Sequence, residues 1–218
     1  MRIGVLGGTG PAGKALAARL ASVGFDVVIG SRSLERASEA AEDLVESWPG
    51  HRFALEGGEN ATAAAADVVV VATPWDAAAS TAASVADQLG GKVLISMANA
   101  LQRVGGEFQP LVGPRGSIAA AVQAAVPDAG VAAAFQHVPA KELGEIDHPI
   151  ESDVLVCSDH PWAKDVAIDI VGKLPNLRPL DAGELSNAAA IEAFVAVLLQ
   201  LNVRYSTRAA VKLLGIDT

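Results

Sequence analysis

Continuous apolar runs recur along the chain, separated by stretches with helical periodicity. Ile3–Leu6, Phe25–Ile29, Asp67–Ala72, Lys92–Ser96 and Val131–Phe135 lack the apolar/polar alternation of a half-exposed strand. Such runs suit strands covered on both faces, as in a parallel sheet. Arg52–Leu55 is a weaker candidate for a third strand. Lys14–Ala21, Ser33–Trp48, Glu59–Ala66, Asp76–Leu89 and Gly116–Val126 fall between the strands and predict helices. This alternation predicts an α/β fold built on a parallel sheet. Beyond Glu142 the pattern restarts, with strands at Asp153–Cys157 and Leu177–Leu180 around a helix at Trp162–Leu174. Ala188–Val203 then forms an apolar helix with too few polar positions for a free surface, which predicts burial against the rest of the chain or against a second copy. The expected division is a first domain over residues 1–140 and a small C-terminal α/β domain over 141–218. No low-complexity linker separates them, so they should dock tightly.

The first strand breaks into Gly7-Gly8-Thr9-Gly10-Pro11-Ala12-Gly13 and then a helix. Gly8, Gly10 and Gly13 fit G-x-G-x-x-G between a strand and a helix, the context in which that motif signifies a dinucleotide site. One glycine permits the tight turn, the next lets backbone N–H groups approach a pyrophosphate, and the third allows close helix–strand packing. The helix N-terminus adds partial positive charge toward the anion. The first domain is thus expected to be a Rossmann-type unit. Its second strand ends in Gly30-Ser31-Arg32, where an NAD site would carry an acidic residue for the ribose hydroxyls. The serine hydroxyl and the planar arginine fork suit a 2′-phosphate instead, and Arg36 one turn later adds charge. The reading is NADP(H) rather than NAD(H), the alternative being two solvated arginines opening a helix.

In open α/β sheets ligands bind beyond the carboxyl ends of the strands. The loops there are Thr73-Pro74-Trp75, Met97 through Ala98, Asn99 and Ala100, and Gln136-His137 followed by Val138-Pro139-Ala140. Pro74 and Trp75 offer a flat wall for a ring or ribose, and the two later loops offer backbone to a nicotinamide carboxamide. His137 is either a proton donor near the hydride site or a packing residue at a strand end.

The chain has 218 residues, a formal net charge of −9 and a pI near 4.8, which argues against nucleic acid as partner. No apolar run reaches the roughly 20 residues of a membrane span, and no signal peptide precedes the first strand. The single cysteine, Cys157, sits in an apolar run and suits a buried inert thiol in a reducing cytoplasm. The four histidines lack metal-ligand spacing.

Taken together, GVLGGTGPAGKALAARLASVGFDVVIGSR at the start, ATPW at Ala72–Trp75, VPA at Val138–Ala140 and LRPLDAGELSNA at Leu177–Ala188 resemble the NADPH-dependent reductases of the deazaflavin coenzyme F420. The resemblance runs from Met1 to about Asp217. It implies a Rossmann domain with a small C-terminal domain, and direct hydride transfer between NADP and coenzyme F420 with the two rings stacked in one cleft. By the same resemblance, Thr9 to Ala12 hold the pyrophosphate, and Ser31 with Arg32 the 2′-phosphate. Arg36 keeps a charge that relatives often supply as Lys. The 97–100 and 138–140 loops flank the rings. Two segments depart from the family pattern, SMANAL after the fifth strand and FQHVPA after the sixth, where the polar position sometimes held by His falls on Gln136.

No Tyr-x-x-x-Lys pair, Ser/His/Asp trio or metal cluster is apparent, and Tyr205 is the only tyrosine. A hydride passed between two carbon centres needs positioning more than acid–base help. Two other readings remain at this stage: an NADPH-dependent reductase of another acceptor (a flavin, a ferric chelate or a small imine), and a non-catalytic NADP(H) sensor. A homodimer built on the apolar helix is expected.

Overall fold

The computed structural model describes residues 1–216. Six parallel strands form the central sheet: β1 (Arg2–Leu6), β2 (Asp26–Ser31), β3 (Ala54–Glu59), β4 (Val68–Val71), β5 (Val93–Ser96) and β8 (Gly130–Ala133), in the spatial order β3-β2-β1-β4-β5-β8. Ile3, Val5, Leu6, Val69, Val71, Leu94 and Ile95 are fully buried, which explains why these strands read as unbroken apolar runs. The order reverses at β1, so the switch point lies between β1 and β4, directly above the Gly-rich turn.

Helices α1 (Pro11–Ser22), α2 (Leu34–Ser47), α3 (Asn60–Ala64), α4 (Trp75–Ala83) and α5 (Ile118–Ala125) cover the two faces of the sheet. Two apolar clusters result, one around Ile3, Leu16, Leu20 and Ile29, the other around Leu6, Val69, Leu94 and Val122. Ser33 caps α2, its hydroxyl accepting from the Arg36 N–H at 3.3 Å, and Ser117 caps α5 through the Ala120 N–H at 3.0 Å.

The third strand lies at 54–59 rather than 52–55. Its sequence, ALEGGE, hides it, because Gly57 and Gly58 are needed for packing and give no apolar signal. A Cβ on Gly57 would lie 2.3 Å from the Ala37 carbonyl carbon, so glycine lets α2 cross the strand in backbone contact. The helix expected over 76–89 ends at Ala83 and resumes only as a 3-10 turn, Ala86–Gln88. Three elements had no counterpart in the sequence reading: the hairpin strands β6 (Leu101–Val104) and β7 (Glu107–Pro110), closed by Gly105-Gly106 with Gly105 at φ +61°, and the short helix α6 (Ala140–Gly144).

The C-terminal part is a β-α-β unit. Strands β9 (Ser152–Val156) and β10 (Leu177–Asp181) pair in parallel, connected by α7 (Pro161–Gly172). An antiparallel bridge between Ala133 and Cys157 attaches β9 to the main sheet. Val154, Val156, Ala163 and Ile170 belong to the same apolar cluster as Ile3 and Leu16. The last helix, α8 (Ala188–Tyr205), packs on α5 and β7, and the buried Glu192 accepts from the Ile118 and Ala119 N–H groups at 2.8 and 3.1 Å. Contrary to the sequence reading, the stretch Leu185–Tyr205 is long and apolar enough to cross a membrane by length and composition alone. In this fold about a third of it is buried, and it caps a neighbour through Glu192.

Candidate functional site

The expected site positions sit beyond the carboxyl edge of the sheet, each in the segment that follows a strand. After β1 the chain turns at Gly7, whose φ of +72° only glycine adopts freely. The Gly8 N–H donates to both the Val5 and Gly30 carbonyls at 3.1 Å, fixing the loop against the end of β2. A Cβ on Gly8 would lie 2.9 Å from the Val5 oxygen, and one on Gly13 would lie 2.8 Å from Gly8 Cα, so both are held small by the fold itself. Gly10 differs. A Cβ there meets only the Gly7 oxygen at an ordinary 3.5 Å, so the fold does not require glycine at that position. Gly10 is the N-cap of α1, Pro11 occupies the first turn, no side chain caps the helix, and no acid lies in that turn. The first-turn N–H groups, including those of Ala12 and Gly13, have no partner within the helix, and the positive end of the dipole is uncompensated.

This turn opens into a cleft of about 770 Å³. Thr9, Gly10, Ser31, Arg32, Arg36, Thr73 and Pro74 line it, bringing together seven of the expected positions. Arg32 and Arg36 are exposed, and among the described residues neither forms an ion pair with a carboxylate. The opposite wall had not been anticipated. Ala77, Ser80, Thr81 and Ser84 present one face of α4 and the turn after it, and Asn60 joins them from the start of α3. The spacing of 77, 80, 81 and 84 is the one-face spacing of a helix, a signal present in the sequence. Asn60 Oδ1 and Thr73 Oγ1 are buried without hydrogen-bond partners.

The remaining expected positions lie outside the lining of this cleft. Trp75 opens α4 and is 40% exposed. Ala98, Ala100 and Val138 are buried. The Asn99 amide donates to the Gln136 carbonyl at 3.0 Å, joining the 97–100 loop to the end of β8. Pro139 is the N-cap of α6 and Ala140 its first residue. Ser96 Oγ and both amide atoms of Gln136 are buried without partners at the carboxyl ends of β5 and β8. His137 is 3% exposed, and its Nε2 lies 3.0 Å from the Asp153 carbonyl oxygen on β9. Burial holds its pKa below the ordinary histidine value despite that hydrogen bond and the Asp153 charge. Its ring packs between the end of β8 and β9, away from the cleft.

A doubly wound sheet with a Gly-rich turn feeding an uncapped helix, two exposed arginines past β2 and a cleft at the switch point define a Rossmann-type dinucleotide-binding protein. The family model for the coenzyme F420-dependent NADP oxidoreductases matches residues 2–100. The chain is 39% identical over 215 residues to the F420-dependent NADP reductase of Methanothermobacter thermautotrophicus, covering 96% of this chain and 93% of that protein. It is 36% identical to the protein of the same name from Methanocaldococcus jannaschii, covering 95% of each. The chain therefore belongs to the F420-dependent NADP reductase family. A crystal structure of a candidate F420-dependent NADP reductase from Arthrobacter sp. FB24 superimposes with a TM-score of 0.82 at 26% identity, covering 98% of this chain and 99% of that one.

Proposed function

We propose that this chain passes a hydride directly between NADP(H) and the deazaflavin coenzyme F420. The nicotinamide and deazaflavin rings supply the carbon centres that give and receive the hydride. The chain's part is to bind, orient and exclude water. Thr9, Ala12 and Gly13 offer backbone N–H groups and the α1 dipole to the pyrophosphate, while Gly8, Gly10 and Pro11 shape the turn that brings it close. Ser31, Arg32 and Arg36 take the 2′-phosphate, and Thr73, Pro74 and Trp75 wall the ribose and ring. The 98–100 and 138–140 backbones face the carboxamide and the deazaflavin.

The donor side rests on one observation above all: two arginines with no carboxylate partner stand on the rim of the cleft into which the uncapped α1 opens. The acceptor side is supported by the near full-length likeness to reductases so named. No side chain is assigned a proton-transfer role, since hydride transfer between two rings gains chiefly from fixed near-attack geometry, about 7–11 kcal/mol in favourable cases. Phe194, Val197, Leu201 and Tyr205 form an exposed apolar stripe along α8, which supports a homodimer through that helix, to be tested by sedimentation. A cytoplasmic enzyme acting on small-molecule cofactors, without nucleic acid or membrane partners, is the setting consistent with the acidic surface.

The test is turnover of NADPH with oxidised coenzyme F420, followed by loss of deazaflavin absorbance, with riboflavin phosphate and a ferric chelate as parallel acceptors. Fast turnover with the deazaflavin alone is expected. Turnover with only the flavin or iron acceptor would reassign the second substrate, and tight NADPH binding with no acceptor would point to a sensor.

A further inference from the structure

Arg19 lies on the third turn of α1 and is 2% exposed. Among the described residues no carboxylate is bonded to it. Its guanidinium donates to five backbone carbonyls instead: Nε to Leu143 at 2.9 Å, one terminal nitrogen to Ile146 at 3.2 Å, and the other to Glu142, Glu145 and His148 at 2.9, 2.8 and 3.2 Å. These carbonyls belong to the end of α6 and the turn after it, where a helix leaves its last acceptors unpaired. Burying a charge this completely is costly unless its donors are all used. Here all three guanidinium nitrogens donate, one terminal nitrogen sharing its two N–H groups among three carbonyls, and Asp147, whose charge favours the cation, is itself held by His51 at 2.8 Å. Two further contacts seat the segment. Gly144 fits against α1 so closely that a Cβ there would meet Ala15 Cβ at 3.3 Å, and Leu143 is fully buried.

The same helix thus carries the pyrophosphate-facing turn at its N-terminus and, two turns on, clamps the segment that follows Val138-Pro139-Ala140. We infer that Arg19 is a positioning residue for hydride transfer: it fixes the 138–140 wall relative to the dinucleotide loop, and so sets the registry of the two rings. This inference rests on the proposed function for the identity of the acceptor. Arg19 touches neither ring site and acts only through the backbone it holds.

The experiment uses Arg19→Lys and Arg19→Met in the full-length chain. Lysine keeps the charge but has three donors and no fork. Both variants are first checked for wild-type circular dichroism. NADPH affinity, read by nucleotide fluorescence, is expected to stay within about threefold. At saturating NADPH, kcat with coenzyme F420 should fall about tenfold in Arg19→Lys and about a hundredfold in Arg19→Met, because misplacement by about 1 Å is that costly. A merely structural role would lower the melting temperature and leave this split unmoved. Unchanged kcat in a folded variant, or loss of NADPH affinity in parallel with kcat, overturns the inference. If Arg19→Met does not fold, Arg19→Lys decides. If the wild-type protein does not reduce coenzyme F420, the proposed function fails, and hydrogen exchange decides the clamp. About tenfold faster exchange at 142–148 in Arg19→Lys, with β1 unaffected, sustains it; equal exchange overturns it.

Discussion

Replacing Arg32 with alanine isolates the claim that the cleft reads a 2′-phosphate. A hydrogen bond between charged partners contributes about 1.5–3 kcal/mol, and less where solvent screens it. Arg32 is exposed, so the low end of the range applies. About 1.5 kcal/mol corresponds to roughly a tenfold weaker NADPH dissociation constant. NADH lacks the phosphate, so its affinity should change by no more than about twofold, and the NADPH/NADH preference should fall about tenfold. Because Arg36 lies one turn further along and lines the same cleft, the double variant should lose less than the sum of the single losses. Raising ionic strength should shrink the wild-type preference, since both groups are exposed. The assay is nucleotide fluorescence titration at two salt concentrations, together with KM and kcat for each nucleotide. KM for NADPH should rise with kcat nearly unchanged, the pattern of uniform binding. Equal weakening of NADPH and NADH, or a wild-type protein that does not distinguish them, would refute the assignment of Arg32.

The Gly loop gives a contrasting pair. Gly10→Ala should leave the melting temperature unchanged and weaken NADPH, because its Cβ fills only the cradle, whereas Gly13→Ala should cost about 1–3 kcal/mol by pressing on Gly8 Cα at 2.8 Å; calorimetry and titration separate the two. Glu192 is pushed above its ordinary pKa of 4.5 by burial, outweighing the Ile118 and Ala119 N–H bonds. The folded state therefore binds the proton more readily than the unfolded one, and Glu192 should add stability as pH falls from its raised value toward 4.5; Glu192→Gln should remove that part of the pH dependence of melting. Burial lifts the Cys157 thiol to about 12, so a thiol reagent should label it only when the protein unfolds, and native-state labelling at neutral pH would contradict its placement.

The turn at Gly7–Gly13 was legible because its constraints are local: a positive φ, a helix start and two close approaches all lie within a few residues. The buried strands were legible for a similar reason, each being apolar through its own length. Strand β3 was misplaced because Gly57 answers to α2 and Gly58 to Thr62 on α3 rather than to strand propensity. The 101–110 hairpin escaped notice because its strands are mostly exposed and short, although Gly105-Gly106 is a recognisable hairpin turn. The α4 hydroxyls at Ser80, Thr81 and Ser84 could have been found from their spacing, while Asn60 depends on where β3 ends. The sequence left His137 open between a proton donor near the hydride site and a packing residue at a strand end, because its partner, a backbone carbonyl on β9, lies 16 residues further on. Nothing local marks Arg19 on its Ala/Leu-rich helix, because its five acceptors lie more than 120 residues away in sequence.

Direct transfer between the two rings is the central claim, and deuterium placed at the transferable C4 position of NADPH tests it. The protein is mixed with the labelled nucleotide and oxidised coenzyme F420 in ordinary water, and the reduced deazaflavin is examined by mass spectrometry. The account predicts one deuterium retained on each reduced deazaflavin, because the hydride never exchanges with solvent. Reduced deazaflavin carrying only protium from water, or labelled NADPH left unconsumed beside the acceptor, would contradict it.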